Sequence, residues 1–266
     1  MALMVIADVL SLLIAAVSFA AIGLIFYAIL NCRERWNRTV YQLVLLVECA
    51  DAVYLVGIVL KAFVGLGGFE SSAAFCKFSA FFVNIAPIVV MLSSAILAFC
   101  RMTTNTKRGL PDDHWLFDVL VSLFILAVVP ISACYLSILV PAEAAAQYDR
   151  QTGLFTLTPS NDANLGLERW MFYNRAILGV VCSACSVGFY SRLALHLAKT
   201  KTSGWTTFKT ANRKMLCEGL VPSLLFLAQR VVEFYSSCRP YMITCLNLLF
   251  ALQPLIRAFV YVHTFD

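Results

Sequence analysis

Two acidic residues, Glu48 and Asp51, lie three positions apart within an otherwise apolar stretch of the chain. If the stretch is helical, both carboxyl groups share one face, because side chains three residues apart on a helix are neighbours. Asp51 stands roughly 17 Å from the start of the stretch at about 1.5 Å per residue. An ionisable group in hydrocarbon costs several kcal/mol unless it is paired or hydrated. The two carboxyl groups are therefore suited to bind a proton, a small cation or a basic side chain.

Charged residues also occur in the last two apolar stretches of the sequence. With the acidic pair they form a predicted intramembrane polar network: Glu48, Asp51, Glu218 and Arg257. We expect Arg257 to pair with Glu48 or Asp51, because an arginine without a counter-charge at that depth would be costly. Such a network either serves a function or only holds helices together, and the sequence leaves both readings open.

No catalytic constellation is visible in the sequence. The histidines His114, His196 and His263 all lie at predicted edges of apolar stretches, and neither His-Glu-x-x-His nor a His-Ser-Asp grouping occurs. No Cys-x-x-Cys pair is matched by a second pair, so a zinc site is not expected. We therefore expect no enzymatic activity, no metal centre and no organic cofactor.

The apolar stretches dominate the composition. Of 266 residues, 61% are hydrophobic and 13% are charged, and the mean hydropathy is +0.83, whereas soluble domains average roughly 25% charged residues. A hydrocarbon core of about 30 Å requires roughly 20 apolar residues per helix, and the alternating strands of a membrane barrel are not visible. The sequence predicts an all-α membrane protein with one seven-helix domain over residues 1–266. The predicted spans are residues 9–30, 40–60, 78–100, 119–140, 170–193, 215–235 and 241–262.

Basic residues give the predicted bundle an orientation. Arg33, Arg35 and Arg38 follow the first span, further lysines and arginines follow the third and fifth spans, and the segment 141–169 leans acidic. Lys and Arg are enriched in cytoplasmic loops. We therefore expect the amino end outside and the carboxyl end inside. The net charge of +5 then reflects topology, and no nucleic-acid partner is expected.

Two cysteines and two prolines carry further expectations. Cys76 and Cys238 fall at predicted outer ends of spans, where oxidising conditions permit a disulfide, so the two either form a disulfide or remain thiols. Pro222 and Pro254 interrupt the last two spans, and a proline within a helix removes a backbone hydrogen bond and kinks the helix. These prolines are expected either to act as pivots of helix movement or only to shape the packing.

The third predicted span begins near Cys76 and ends at Arg101, 25 residues later. With seven spans, an outer amino end, Asp51 in the second span and prolines in the last two, this spacing resembles the rhodopsin-type G-protein-coupled receptors. The chain departs from that family around the arginine, where Cys100 and Met102 replace its acidic and aromatic residues. The segment 141–169 also lacks the family's cysteine partner for Cys76.

The closing segments are similar to those of the nematode serpentine chemoreceptors. The stretch QPLIRAFVYVHTF is similar to their Asp-Pro-Leu-Ile ending with an aromatic residue one or two turns later. The stretch TANRKMLCEGLVPSL is similar to the basic, Asn-Arg-containing start of their proline-kinked sixth helix. The resemblance covers the pattern of spans over the whole chain, although its single motifs are short.

This resemblance implies a receptor of the plasma membrane that couples to a heterotrimeric G protein. The residues implied to face the G protein are Arg101, Lys107, Arg108, Arg213 and Lys214. Arg101 lies about 37 Å along a helix from Cys76, which exceeds the roughly 30 Å hydrocarbon core. We therefore expect its side chain at the cytoplasmic interface, where its burial costs little.

The resemblance also implies a small-molecule ligand in an outer helical pocket and a sodium ion near Asp51. Where amine receptors place an acid, this chain has Val83 and Asn84, which disfavours a protonated amine. Two arginines favour an anionic or carbonyl-bearing ligand, and a mostly apolar pocket with a few polar anchors suits small organic molecules. The expected pocket residues are Asn84, Pro87, Tyr173, Arg175, Gln229, Arg230 and Glu233.

Two other classes of protein remain open at this point. A small ion- or proton-coupled transporter could use Glu48 and Asp51 as its binding site, although the chain shows no internal repeat of the kind that transporters carry. A noncatalytic membrane scaffold or chaperone would account for the altered motifs. Uptake into vesicles distinguishes the transporter, and activation of a G protein distinguishes the receptor.

The predicted orientation has a direct test. A tag placed after Asp266 is expected to stain only in permeabilised cells, because the basic residues after the first span hold that connection on the cytoplasmic side. A tag at the amino end is the matched control and should stain on intact cells. Staining of the carboxyl-terminal tag on intact cells would contradict the orientation.

Overall fold

The chain folds almost entirely into helices over the part that the structure describes. The structure is a computed structural model, and it describes residues 2–31, 39–67, 73–106, 114–139, 145–149, 154–158, 162–199 and 251–262 with a few single positions between 221 and 249. The helices are α1 (Ala2–Leu30), α2 (Thr39–Gly67), α3 (Ala73–Thr106), α4 (His114–Leu139), α5 (Asp162–Lys199) and α6 (Gln253–Val262). Two strands, β1 (Ala145–Asp149) and β2 (Leu154–Thr158), lie between α4 and α5.

Five of these helices are long and apolar enough to cross a membrane. The qualifying segments are Val5–Leu30, Val40–Gly67, Ala73–Thr103, Asp118–Ser137 and Ala176–His196. The chain is therefore an all-α membrane protein, as the composition predicts. The seventh predicted span contains α6, and the sixth lies almost wholly outside the described residues. The count of seven spans and the outer amino end stay predictions.

The helices extend beyond the apolar stretches that predicted them. Helix α2 continues to Gly67 rather than ending at residue 60, and α3 runs from Ala73 to Thr106 rather than from 78 to 100. Helix α5 begins at Asp162, eight residues before its predicted start at 170. Hydropathy marks the hydrocarbon layer, whereas the helical hydrogen-bond ladder can continue into polar surroundings beyond it.

Helices α2 and α3 form the centre of the described bundle. In the most apolar 18-residue segment of each of these two helices, 61% is buried within the protein. The corresponding share is 28% in α1 and 11% in α4. Helix α3 packs against α2, α4, α5 and strand β1, while α1 packs against α2 and α6. The large apolar side chains exposed on α1 and α4 therefore form the surface offered to lipid, among them Leu13, Leu24, Leu126 and Val129.

A glycine brings the two central helices close together. A Cβ at Gly57 of α2 would lie 3.2 Å from the carbonyl carbon of Phe82 and 3.3 Å from the backbone nitrogen of Val83, both in α3. Small residues let helix backbones approach in membranes, where packing rather than a hydrophobic driving force holds helices together. The absence of a side chain at Gly57 thus sets the distance between α2 and α3.

Polar side chains along the spans are bonded to their own helices. The Ser79 hydroxyl donates to the carbonyl of Phe75 at 2.8 Å, and the Ser93 hydroxyl donates to the carbonyl of Val90 at 3.0 Å. The Thr103 hydroxyl donates to the carbonyl of Cys100 at 2.8 Å. Such bonds satisfy hydroxyl groups where no water is present.

The segment between α4 and α5 contains an antiparallel hairpin. Ala145 pairs with Thr158 and Asp149 pairs with Leu154, and β1 contacts α3. The two threonines and the phenylalanine of Leu154–Thr158 are common in strands. The sequence predicts only a long connection here, because each strand has five residues and is too short to stand out from its surroundings.

The run of α3 defines two ends of the bundle. We call them the Cys76 end and the Arg101 end, after the residues that lie near the first and last turns of this helix. The hairpin lies at the Cys76 end, where Tyr148 of β1 packs against a small cluster that includes Cys76 and Ala80. The Cys76–Cys238 disulfide stays a prediction, because Cys238 lies outside the described residues.

The contact at Gly57 predicts the effect of adding one methyl group. Gly57→Ala should destabilise the bundle by about 1–3 kcal/mol, because the new Cβ meets backbone atoms of α3 that can move only with the helix. Thermal unfolding in detergent measures this as a lower midpoint. Gly188→Ala is the matched control, since a Cβ there meets nothing within 4 Å. An unchanged midpoint for Gly57→Ala would contradict the close packing.

Candidate functional site

Buried polar side chains lie at one depth of the bundle, between two apolar clusters. The cluster toward the Cys76 end includes Ala50 of α2 and Ala95 of α3. The cluster toward the Arg101 end includes Val47 of α2 and Ile96 of α3. The boundary between the clusters therefore falls between residues 47 and 50 of α2 and next to residue 95 of α3. We call the polar residues at and beside this boundary the polar layer: Ser18, Glu48, Asp51, Ser94 and Gln253.

Glu48 and Asp51 are the charged members of the polar layer. Their exposed fractions are 0% and 1%, so neither carboxyl group reaches lipid or bulk water. The neighbouring Cys49 is exposed, as expected for a residue between two inward-facing positions on a helix. Taking a carboxylate out of water costs several kcal/mol unless it is bonded within the protein. The layer thus places two acidic side chains where bonds within the protein must replace those to water.

The segment around Gln253 contributes an amide to the same layer. Ala251 belongs to the cluster toward the Cys76 end, and Leu255 packs against the cluster toward the Arg101 end, so Gln253 lies between the two. Its side chain is 2% exposed, and neither its amide nitrogen nor its amide oxygen has a hydrogen-bond partner among the described residues. The Ser94 hydroxyl is likewise buried with no hydrogen bond in the described part of the chain. The layer therefore offers polar atoms that can accept or donate further hydrogen bonds.

A hydrogen bond ties the amino-terminal helix to this layer. The Ser18 hydroxyl of α1 donates to the backbone carbonyl of Ala251 at 3.3 Å. Ser18 is fully buried, and α1 packs along α6. Pro254, one of the two predicted pivots, is buried directly after Gln253. A movement of α6 at this proline would therefore change the surroundings of the polar layer.

Arg101 is buried rather than exposed at the end of α3. Its exposed fraction is 8%, so the side chain is covered by the protein itself, and its expected position at the cytoplasmic interface stays a prediction. Two features account for the burial: α3 continues to Thr106, and α5 covers the face of α3 at Ala98 with Tyr190 and Leu193. The ring pair Phe99–Phe189, with centroids 5.4 Å apart, joins the same two helices. Arg101 follows Ala98 by about one turn and is therefore buried beside the contact between α3 and α5.

The expected pocket residues do not converge in the described part of the chain. Pro87 is buried within α3, and the Asn84 amide donates to the carbonyl of Ala80 in its own helix at 2.8 Å. Tyr173 is 58% exposed and shares a face of α5 with exposed Ile177 and Val180, which places it on the lipid-facing surface. Arg175 lies two residues after Tyr173 on α5, and only its backbone is described.

Many of the expected site residues lie outside the described part. For these the assignments to G-protein coupling, the polar network, the pivots and the pocket stay predictions. They are Lys107, Arg108, Arg213, Lys214, Glu218, Pro222, Gln229, Arg230, Glu233 and Cys238.

The structure adds interior polar residues that the sequence reading passed over. Ser18, Ser94 and Gln253 are buried in the layer, and Asp8 and Lys61 are both buried near the Cys76 end. A serine in an apolar span gives no sign of the direction that it faces. Asp8 and Lys61 stand at the edges of their apolar stretches, where charges are ordinary, so only their burial distinguishes them.

The polar layer is suited to hold a proton, a small monovalent cation or a basic side chain, as its carboxyl groups and amide indicate. Within the described ranges no group of three or more histidine, cysteine or acidic residues is placed to bind a metal ion. The sodium ion near Asp51 stays a prediction of the resemblance. No protein-family model and no curated protein sequence matches the chain in the comparisons made, so a functional assignment rests on the residues and their arrangement.

The predicted pair of Arg257 with Glu48 or Asp51 can be tested by substitution, since α6 carries Arg257 close to the polar layer. Arg257 follows Gln253 by one turn, about 6 Å along the helix axis. Arg257→Leu should lower surface expression, because it would leave a buried carboxylate without its counter-charge, and breaking a buried pair costs about 3–5 kcal/mol. Glu48→Leu or Asp51→Leu in the same chain should restore part of the loss. Additive losses in both double variants would exclude the pair.

Proposed function

We propose that this chain is a G-protein-coupled receptor of the chemosensory type, located in the plasma membrane. In this proposal a small organic ligand binds near the outer end of the bundle, and a heterotrimeric G protein binds at the cytoplasmic end. The proposal takes the Cys76 end as the outer end and the Arg101 end as the cytoplasmic end. The membrane character of the chain agrees with the proposal without distinguishing it from other membrane functions.

The observation that carries the proposal is the position of α3. This helix contacts most of the other described elements, and it extends from beneath the hairpin to the buried Arg101. A signalling receptor needs one element that touches both the ligand side and the effector side, so that a ligand favouring one arrangement of the bundle can change the other end. The burial of Arg101 beside the contact between α3 and α5 fits a resting arrangement in which the arginine is withheld from the G protein.

The polar layer supplies a place where the bundle could change between two arrangements. Glu48 and Asp51 are completely buried between two apolar clusters, and α6 carries Gln253 and Pro254 at the same depth. Packed interiors change between discrete arrangements rather than deforming continuously. A ligand-driven shift at the Cys76 end would then be transmitted as a change of partners in this layer.

A second candidate function is a small ion- or proton-coupled transporter. The burial of two carboxyl groups, Glu48 and Asp51, at mid-depth favours it, because intramembrane acids commonly mark proton and cation pathways. Apolar clusters lie on both sides of the layer, which in a transporter would correspond to a state closed to both surfaces. Proton uptake by vesicles containing the full chain distinguishes this function from the receptor.

The receptor proposal predicts the effect of removing Arg101. The full chain, tagged at the amino end, is expressed with a panel of G-protein dissociation sensors, and activation is measured per copy at the cell surface. Activation is measured without ligand and with small anionic or carbonyl-bearing organic compounds, the ligand class that the sequence favours, and we expect at least one sensor to respond. Arg101→Ala should abolish this response, because an arginine can bond the last carbonyls of the G protein's terminal helix.

Arg192→Ala is the matched control for this experiment. Arg192 lies on α5 near the same end of the bundle, and its side chain is exposed. Its removal should leave activation unchanged. Because Arg101 is buried, the total surface level of Arg101→Ala is expected to fall, which is why activation is divided by the number of surface copies. A panel without any response would contradict the receptor proposal, whereas full activation by Arg101→Ala would contradict only the role given to Arg101.

A further inference from the structure

Two opposite charges are buried together at the Cys76 end. Asp8 of α1 and Lys61 of α2 are each 9% exposed, and the two side chains interact electrostatically. Removing either charge from water is costly, and the mutual attraction offsets this cost only when the two groups stay close. The pair therefore joins the first turns of α1 to the last turns of α2.

A glycine makes room for this pair. A Cβ at Gly65, one turn after Lys61, would collide with a carboxylate oxygen of Asp8. The carboxyl carbon of Asp8 and the hydroxyl oxygen of Tyr148 each lie 3.2 Å from the position of that Cβ. The space above Gly65 is thus shared by an acid of α1 and a phenol of the hairpin, and a phenol can donate a hydrogen bond to a carboxylate.

Tyr148 brings the hairpin to the same place. It lies within β1, opposite Phe155 of β2, and its ring packs against Val64, Cys76 and Ala80. A tyrosine combines an apolar ring with a polar hydroxyl, so it suits a position where the ring meets apolar side chains and the hydroxyl meets polar groups. The ring packs on α2 and α3, while its hydroxyl oxygen lies above Gly65, in the same space as the acid of α1.

We propose that Asp8, Lys61 and Tyr148 form a polar clasp that holds the hairpin closed over the Cys76 end as a lid. The clasp joins three elements, α1, α2 and β1, through one acidic side chain. When α1 moves away from α2, the acid leaves Gly65, both charges become hydrated, and Tyr148 loses its polar partner. The position of the lid is then coupled to the distance between α1 and α2. This inference does not depend on the proposed function, because it applies equally to a receptor and to a transporter.

The clasp is tested by measuring how accessible the surface beneath the hairpin is. The full chain in detergent is oxidised with hydroxyl radicals, and the rate of oxidation is read residue by residue by mass spectrometry. The informative residues are Tyr148, Phe75 and Phe81, which all pack against the cluster of Val64, Cys76 and Ala80 and are only partly buried. Tyr54, 4% exposed in the core, reports general loosening of the bundle.

Three variants are expected to open the lid. Gly65→Ala displaces the Asp8 carboxylate, Asp8→Asn removes the charge, and both should raise the oxidation rate of Tyr148 several-fold while that of Tyr54 stays unchanged. Tyr148→Phe removes only the hydroxyl, so it should raise the rates at Phe75 and Phe81 and is the variant least able to disturb folding. Asp8→Asn combined with Lys61→Met should open the lid no further than either change alone.

Matched variants control for the added methyl group and the lost charge. Gly188→Ala adds a Cβ that meets nothing within 4 Å, and Asp118→Asn removes an exposed acid of α4. Both should oxidise like the unaltered chain. Unchanged rates in folded Gly65→Ala and Tyr148→Phe, or an equal rise at Tyr148 and Tyr54, would overturn the clasp. If Gly65→Ala or Asp8→Asn fails to fold, Tyr148→Phe alone decides the outcome.

Discussion

The close approach of α2 to α3 at Gly57 is the contact on which the rest of the described bundle depends. Lipid tails are as apolar as leucine side chains, so no hydrophobic effect drives helices together in a membrane. The helices are held instead by close packing and by hydrogen bonds between them. With no side chain at Gly57, the backbone of α2 rests against Phe82 and Val83 of α3. Glu48 and Asp51 are buried about two turns before Gly57 on α2, on a different face of the helix. On the other side of Gly57, the contact brings Val64 to Cys76 and Ala80, the surface on which the hairpin rests.

Apart from Arg101, the buried charges of the described bundle occur at two depths with different surroundings. In the polar layer, two acids, serine hydroxyls and an amide lie between apolar clusters, and the amide of Gln253 retains unused hydrogen-bonding capacity within the described residues. Near the Cys76 end, Asp8 and Lys61 balance each other and Tyr148 closes over them. The first arrangement can exchange partners without exposing charge, whereas the second opens only when its charges meet water. A bundle that moves would therefore respond differently at these two depths.

The burial of Arg101 changes how its role is understood. An arginine at an interface can be replaced with little effect, but a buried one participates in packing, and its removal affects both stability and function. Tyr190, Leu193 and the Phe99–Phe189 ring pair place α5 over the end of α3. A binding partner can therefore reach the Arg101 side chain only if α5 and α3 separate or if the arginine changes its conformation.

The sequence by itself determined the membrane class and the approximate limits of the first five spans, because hydrocarbon admits only long apolar segments with their backbone groups bonded internally. It also identified Glu48 and Asp51, since charge within such a segment is rare. It did not determine which way Ser18, Ser94 and Tyr173 face, because an apolar span facing lipid has the same composition as one facing protein. Nor could it pair Asp8 with Lys61 or place Tyr148 above Gly65, since these residues are far apart in the chain. Only the tertiary structure decided these contacts, because the helix rotations and separations that bring such residues together follow from packing between helices rather than from the hydropathy of each one.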